Sequence, residues 1–323
     1  MPDPVMPTPA TAAASNKLIT VVIPVFNRER LLVRTLDSIA AQDTRRIRLV
    51  IVDNASADGS RRVAERWCRG HEDVDAVVTD CTVPGAAAAR NAGLKLADTP
   101  YVMFFDSDDE MLPGHLEMVV RGIEDHPDAE ILGWPVRLET AAAQFKSGYF
   151  HQHAPLCKHL VHSTMSTQRF AASTDLLRRV GGWDEAISGW DDYELGVRLL
   201  VAAGRVANIN AHGEPTVRVN FTEESITGTG FADNPAKWER ALDAVERDLA
   251  AECPRMLGWV DYRRAVLAAE YAREGNSKDA ARLRALAADR RGNKLMVRLS
   301  YFVHRHFGRG SWRVASFFLP GDC

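Results

Sequence analysis

Apolar residues in the first part of this chain come in short unbroken runs. Leu18-Ile-Thr-Val-Val-Ile-Pro-Val-Phe26, Arg48-Leu-Val-Ile-Val-Asp53 and Tyr101-Val-Met-Phe-Phe105 read as strands buried on both faces. Val74 to Val78 is a shorter candidate of the same kind. Between them the rhythm is helical: Leu32, Leu36 and Ile39, then Val63 and Trp67, then the small-residue stretch from Gly85 to Ala97. Pro24 suits a strand end, and Asn27 is placed to cap the helix that follows. Strands alternating with helices predict an α/β fold, a Rossmann-like, mixed, mostly parallel sheet flanked by helices.

The pattern continues with a helix from Pro113 to Asp125 and a strand over 129–139 broken at Pro135. From 140 to 170 it is irregular and rich in His, Ser and Thr. Thr174 to Val180 is a short helix, Gly181 to Trp190 a loop, and Asp191 opens another helix. Short strands are expected at 205–209 and 216–220. After about 231 the periodicity is wholly helical, near 235–251, 257–273, 277–289 and 293–306. The organisation expected is a leader over 1–16, rich in Pro, Ala and Thr and disordered, an α/β domain over 17–230, and an all-helical C-terminal extension over 231–323.

Composition narrows the partners. A formal charge of −3 and a pI near 6.4 argue against a nucleic-acid binder. No run is long and apolar enough to span a bilayer, and no signal-peptide pattern opens the chain. The five cysteines are scattered and odd in number, which reads as free thiols in a reducing cytoplasm. Residues 291–319 are basic and amphipathic, with Leu295, Leu299, Phe302, Val303 and His306 on one helix face. Two readings stand: peripheral contact with the inner face of the membrane, or simple packing of that face on the rest of the molecule.

The candidate chemistry begins where the third long run ends, at Asp106-Ser107-Asp108-Asp109-Glu110. A buried strand stopping at a carboxylate cluster places it at the sheet edge where open α/β sheets bind ligands. Side chains alternate along a strand, so Asp106 and Asp108 can point the same way. Two such carboxylates repel unless a cation lies between them, and hard oxygen ligands favour Mg²⁺ or Mn²⁺. A solvated acidic turn is the plainer alternative. Asp191 and Asp192 open a helix; capping would explain one acid there, less easily two.

Taken in order, Val21-Val-Ile-Pro-Val-Phe-Asn27-Arg28, Val50-Ile-Val-Asp53-Asn-Ala-Ser-Ala-Asp58-Gly-Ser60, Ala89-Arg90-Asn91-Ala-Gly93, Phe105-Asp106-Ser107-Asp108-Asp109 and Gly181-Gly-Trp-Asp-Glu185 with Trp190-Asp191-Asp192-Tyr-Glu194 closely resemble the family 2 glycosyltransferases. The resemblance covers about Lys17 to Thr227. It implies a GT-A fold, with 17–110 as the nucleotide-sugar half and 111–230 as the acceptor half. It implies an inverting transfer from a nucleotide-sugar, a UDP-sugar in the first place, to a hydroxyl of a glycan or lipid-linked acceptor in bacterial surface polysaccharide synthesis. By the same resemblance Pro24, Phe26 and Asn27 wall the nucleotide pocket, Asp53 bonds the base, and Asp106 and Ser107 lie at the ribose. Asp108, with Asp106, holds the metal. Arg90 has two readings of its own: it pairs with an acid near the nucleotide or with a phosphate, or it forms a salt bridge holding its helix to the sheet. Asp192 is the catalytic base, with Asp191 next in rank.

This chain departs from the family at Asn220, where a His often stands, and at Asp191, where Glu is usual. Trp190 and Trp134 are acceptor-platform candidates, whereas Trp183 has packing as its default role. His151, His153, Cys157, His159 and His162 match no zinc-finger spacing and read as an acceptor-side loop. A nucleotidyltransferase-like protein would want a Gly-rich loop after the first strand, and Pro24 to Arg28 has none. A non-catalytic sugar-nucleotide-binding module would have lost carboxylates that this chain keeps.

Overall fold

The computed structural model describes residues 16–139, 144–146, 150–220, 230–290 and 292–321. In chain order the elements are β1 (Ile19–Val25), α1 (Leu32–Ala40), β2 (Ile47–Asp53), α2 (Ser60–Gly70), β3 (Ala76–Asp80), α3 (Ala86–Leu96), β4 (Tyr101–Phe104), β5 (Glu110–Met111), α4 (His115–Asp125), β6 (Ile131–Gly133), β7 (Arg137–Glu139) and β8 (Gln144–Lys146). Then come α5 (Pro155–His162), β9 (Phe170–Ser173), α6 (Thr174–Arg179), α7 (Asp191–Ala202), β10 (Val206–Asn208) and β11 (Val217–Asn220). Helices α8 (Pro235–Glu252), α9 (Leu257–Arg273), α10 (Ser277–Asp289), α11 (Lys294–Phe307) and α12 (Ser311–Ala315) complete the described chain.

The main sheet has seven strands in the order β10-β6-β9-β4-β1-β2-β3. All neighbours pair parallel except β9, which runs antiparallel between β4 and β6. The continuous apolar runs follow from burial on both faces. Val22, Val50 and Phe104 point into one core, shared with α3, α7 and the C-terminal helices. Ile19, Val21, Ile23, Leu49, Ile51 and Met103 point into the other, against Leu32, Leu36, Trp67 and Leu116. Each such side chain contributes about 1.5–3 kcal/mol by leaving water. The small residues of α3 let it lie on the sheet: a Cβ built on Gly93 would come 2.2 Å from a Val22 methyl.

A second sheet, β5-β11-β7-β8, lies beside the first. The segment expected as one strand broken at Pro135 is β6 in the main sheet and β7 in this one, with Pro135 in the crossover. Three local expectations are corrected. Asn27 caps no helix: α1 begins at Leu32, and Asn27 instead takes a left-handed φ of 53° and accepts from the Ala57 amide. The expected loop around His159 contains α5, which packs on α7 and α9. Its imidazole is fully buried, Nε2 bonding the Tyr193 carbonyl and Nδ1 accepting from the Met165 amide. Finally, Cys253 is disulfide-bonded, so the free-thiol expectation holds among described cysteines only for Cys68, Cys81 and Cys157.

The C-terminal helices surround α9, most of whose side chains are buried. Their ends are set by capping: Asn234 precedes α8 and accepts from the Lys237 amide, and Asn276 precedes α10 and accepts from the Asp279 amide. No helix among the described residues is long and apolar enough to cross a membrane. Residues 1–15 of the expected leader, residues 221–229 and Arg291 lie outside the described residues.

Candidate active site

The site forms along the C-terminal ends of β1, β2 and β4. Pro24 is the penultimate residue of β1 and pairs with Val52. Phe26 is 56% exposed at the rim. The β1 turn is tied to the β2 turn: the Asn27 amide donates to Ser56 Oγ, and the Arg28 amide to Ser60 Oγ. Asp53, at the end of β2, is buried. Its Oδ2 accepts from the Ser56 amide, and its Oδ1 is buried with no partner. Leaving a buried carboxylate oxygen unpaired costs about 1–3 kcal/mol, so this is an acceptor open to a ligand's N–H.

Strand β4 ends at Phe104, so the acids after it lie in a turn, closed by the Asp109 amide donating to the Asp106 carbonyl at 3.3 Å. Strand alternation therefore does not aim Asp106 and Asp108; packing does. Both Asp106 oxygens are engaged: Oδ1 by the Arg90 guanidinium at 2.9 Å, Oδ2 by Gln168 Nε2 at 2.5 Å. Gln168 also donates to Asp109 at 2.5 Å, and the Asn220 amide donates to the other Asp109 oxygen. Burial, then Asp106 and Asp108, push Asp109 well above the usual carboxylate range. Ser107 is buried in the same turn. Asp108 is different. Among the described residues its carboxylate meets Arg28 alone, at 3.5 Å, while Arg34 and Asn220 donate to its backbone carbonyl. Burial and the neighbouring Asp106 raise its pKa.

Opposite this turn, α7 opens with Asp191 and Asp192. Arg90, on α3, spans the gap: one nitrogen donates to Asp191 and another to Asp106, both at 2.9 Å. The guanidinium lies 4.4 Å over the Trp183 ring, which fixes its plane. Among the described residues Asp192 makes no ion pair; its Oδ1 accepts from the Tyr193 amide, and the buried Arg169 guanidinium feels its charge. Burial, then the Asp191 charge, raise it from 3.8 to about 7, against the lowering influence of Arg90. A half-protonated carboxylate at neutral pH is suited to take a proton.

The aromatic expectations separate. Trp134 is fully buried and its Nε1 donates to the Gln168 carbonyl. It cannot stack on an acceptor; it packs, holding the backbone of the residue that bridges Asp106 and Asp109. Trp183 packs as expected. Trp190 is half-buried, with φ 56°, among Tyr193, Phe231 and Trp238, and Arg263 lies 4.8 Å from its ring centroid. Asp106, expected as a second metal ligand, has both oxygens taken by Arg90 and Gln168. Gln168 lies in an unpatterned stretch and carries no periodic signal, and Arg34, on the exposed side of α1, carries none that points to the site.

Asp108 offers oxygen ligands, a raised pKa that a nearby positive charge would relieve, and one loose ion pair. Those features suit Mg²⁺ or Mn²⁺ at a single carboxylate, and among the described residues no three acidic, His or Cys side chains converge as a metal site.

Comparison with known proteins agrees with the motifs. Residues 20–179 match Glycosyl transferase family 2. A pre-mycofactocin glycosyltransferase of Mycobacterium tuberculosis is 30% identical over 200 residues, covering 59% of this chain and 41% of that protein. The chain spans less than two thirds of the length of the curated relatives it matches. S. aureus TarS 1-349, solved with UDP-GlcNAc, superposes with a TM-score of 0.62 at 18% identity over 89% of this chain and 81% of that one. The mannosyltransferase PcManGT of Pyrobaculum calidifontis, solved with GDP-Man and Mn²⁺, gives 0.55 at 18% identity over 93% and 86%.

Proposed function

We propose that this chain, which belongs to glycosyl transferase family 2, transfers a sugar with inversion from a UDP-sugar to a hydroxyl of a glycan or lipid-linked acceptor. The observation that carries the reading is Arg90. One guanidinium joins Asp106, in the strand-end acid turn, to Asp191, at the start of the helix that bears Asp192. In this reading the acid turn serves the donor and Asp192 the acceptor's proton, and the Arg90 bridge supports it by tying the two segments together.

In this reading the open Oδ1 of Asp53 accepts the N–H of the base, Pro24, Phe26 and Asn27 wall the nucleotide, and Asp106 and Ser107 lie toward the ribose. Asp108 holds the cation, Mn²⁺ or Mg²⁺, which when bound would supply charge neutralisation for a departing diphosphate. The solved neighbours with UDP-GlcNAc and with GDP-Man and Mn²⁺ support a nucleotide-sugar and a metal. Asp192 takes the proton of the acceptor hydroxyl. That oxygen's electron pair forms the new bond to C1 as the bond from C1 to the diphosphate oxygen breaks. Attack on the face opposite the leaving group inverts the anomeric carbon. A single ionised carboxylate suffices, whereas a hydrolase pair needs one of its two acids protonated. A lipid-linked acceptor would bring the protein to the cytoplasmic face of the cell membrane.

Turnover with Mn²⁺ and a panel of UDP- and GDP-sugars tests the reading. At least one UDP-sugar is expected to be consumed, with product of inverted configuration in the anomeric proton coupling. A retained configuration, or turnover of GDP-sugars alone, would contradict it.

A further inference from the structure

The solvent side of α11 is apolar. Leu295, Leu299, Phe302 and His306 recur along it at helical spacing, and Leu295 and Phe302 are 60% and 56% exposed. Phe307 ends the helix at 69%, and Phe317, beyond α12, reaches 87%. Among the described residues six of the eleven exposed large hydrophobics lie between Leu295 and Phe318, so the exposure is concentrated and not scattered. The opposite face of α11 does the packing. Met296, Val297, Ser300 and Tyr301 are buried, and His304 bonds Glu270 and Ser311. Packing of this face would cover Leu295, Leu299 and Phe302, and among the described residues all three are exposed.

Cations border the same side. Arg298 and Arg305 are exposed beside the apolar stripe, Lys294 opens the helix, and Arg309 and Arg313 follow it. From Gly292 to Gly321 there are five Lys and Arg and no Asp or Glu, in a chain of net charge −3. Lys294 has the exposed Asp289 at 3.8 Å, and Arg305 donates to the Tyr301 hydroxyl. The tail that carries Phe317 is anchored, since Trp259 Nε1 donates to the Pro320 carbonyl at 2.8 Å.

We propose that the exposed face of α11, with the aromatic residues after α12, docks on an anionic lipid bilayer. The helix lies in the plane of the interface, its Leu and Phe side chains among the acyl chains and its cations at the phosphates. A second copy of this chain is a poorer occupant. A two-fold contact through α11 would set the exposed cations Arg298 and Arg305 of one copy near those of the other. These elements contribute none of the site's carboxylates, and the test reads lipid binding, not transfer.

The test is co-sedimentation of the full chain with vesicles of equal parts phosphatidylglycerol and phosphatidylcholine, against phosphatidylcholine alone. Binding is expected only to the anionic vesicles and is expected to weaken with added salt. Leu299→Ser with Phe302→Ser, and separately Arg298→Glu with Arg309→Glu, should each weaken it by about tenfold or more, since every 1.4 kcal/mol is tenfold. All four residues face solvent, so circular dichroism and UDP affinity should stay as in the parent. No pelleting of the parent, equal pelleting with neutral vesicles, or unchanged binding by both variants would overturn the proposal. So would a lipid-free dimer in sedimentation equilibrium that the Leu299→Ser, Phe302→Ser variant dissociates.

Discussion

Replacing Asp192 by asparagine is expected to lower the transfer rate about a thousandfold, the middle of the range for a lost general base, while UDP affinity stays within about twofold. A base acts on the acceptor's proton, so its loss belongs in kcat and not in donor binding. The parent rate should fall as pH drops below about 7, where Asp192 takes up its proton. The stability consequence has the opposite sense. Between the ordinary carboxylate pKa and about 7 the folded state binds a proton that the unfolded chain does not, so this group makes the fold less stable as pH rises through that window. Asparagine imitates the protonated acid, and Asp192→Asn should therefore unfold at no lower urea concentration than the parent at pH 8. A near-normal rate in Asp192→Asn, with loss in Asp191→Asn, would exchange the two roles.

Arg90→Met should be the most damaging substitution to the frame of the site. The guanidinium is almost wholly buried and serves two carboxylates at once. Removing it leaves Asp106 and Asp191 facing each other without a counter-charge, a loss of about 3 kcal/mol when one partner of a buried pair is deleted. That is a large share of the 5–15 kcal/mol typical of a domain. Arg90→Lys should not restore the parent, because an ammonium is a point charge and cannot span both acids with separate N–H groups. Urea unfolding and UDP affinity check this. An unchanged midpoint and an unchanged affinity in Arg90→Met would remove the bridge from the account.

The frame of the fold was legible because β1, β2 and β4 are buried on both faces and therefore carry unbroken apolar runs. Helices α9 and α10 were legible to their ends, since Gly275, at φ 92°, follows one and Asn276 caps the next. Strand β9 was not: four residues, Phe170 to Ser173, fall below any periodic signal, and insertion between β4 and β6 is a tertiary choice. Asp53, Asp108 and Asp192 stood out because acids end an apolar run or open a helix. Gln168 did not, because its meaning lies in two carboxylates about sixty residues earlier. Trp134 was misread for the same reason. A tryptophan able to stack on a sugar ring was expected there, but its indole N–H has a buried carbonyl partner and the ring fills the core.

The central claim, a metal-dependent nucleotide-sugar site at this strand edge, is met most directly by calorimetry of UDP with and without Mn²⁺ on the parent and Asp108→Ala. The account expects saturable binding that Mn²⁺ tightens in the parent, and no effect of Mn²⁺ in Asp108→Ala. Equal tightening by Mn²⁺ in both proteins, or no UDP binding by the parent, would contradict it.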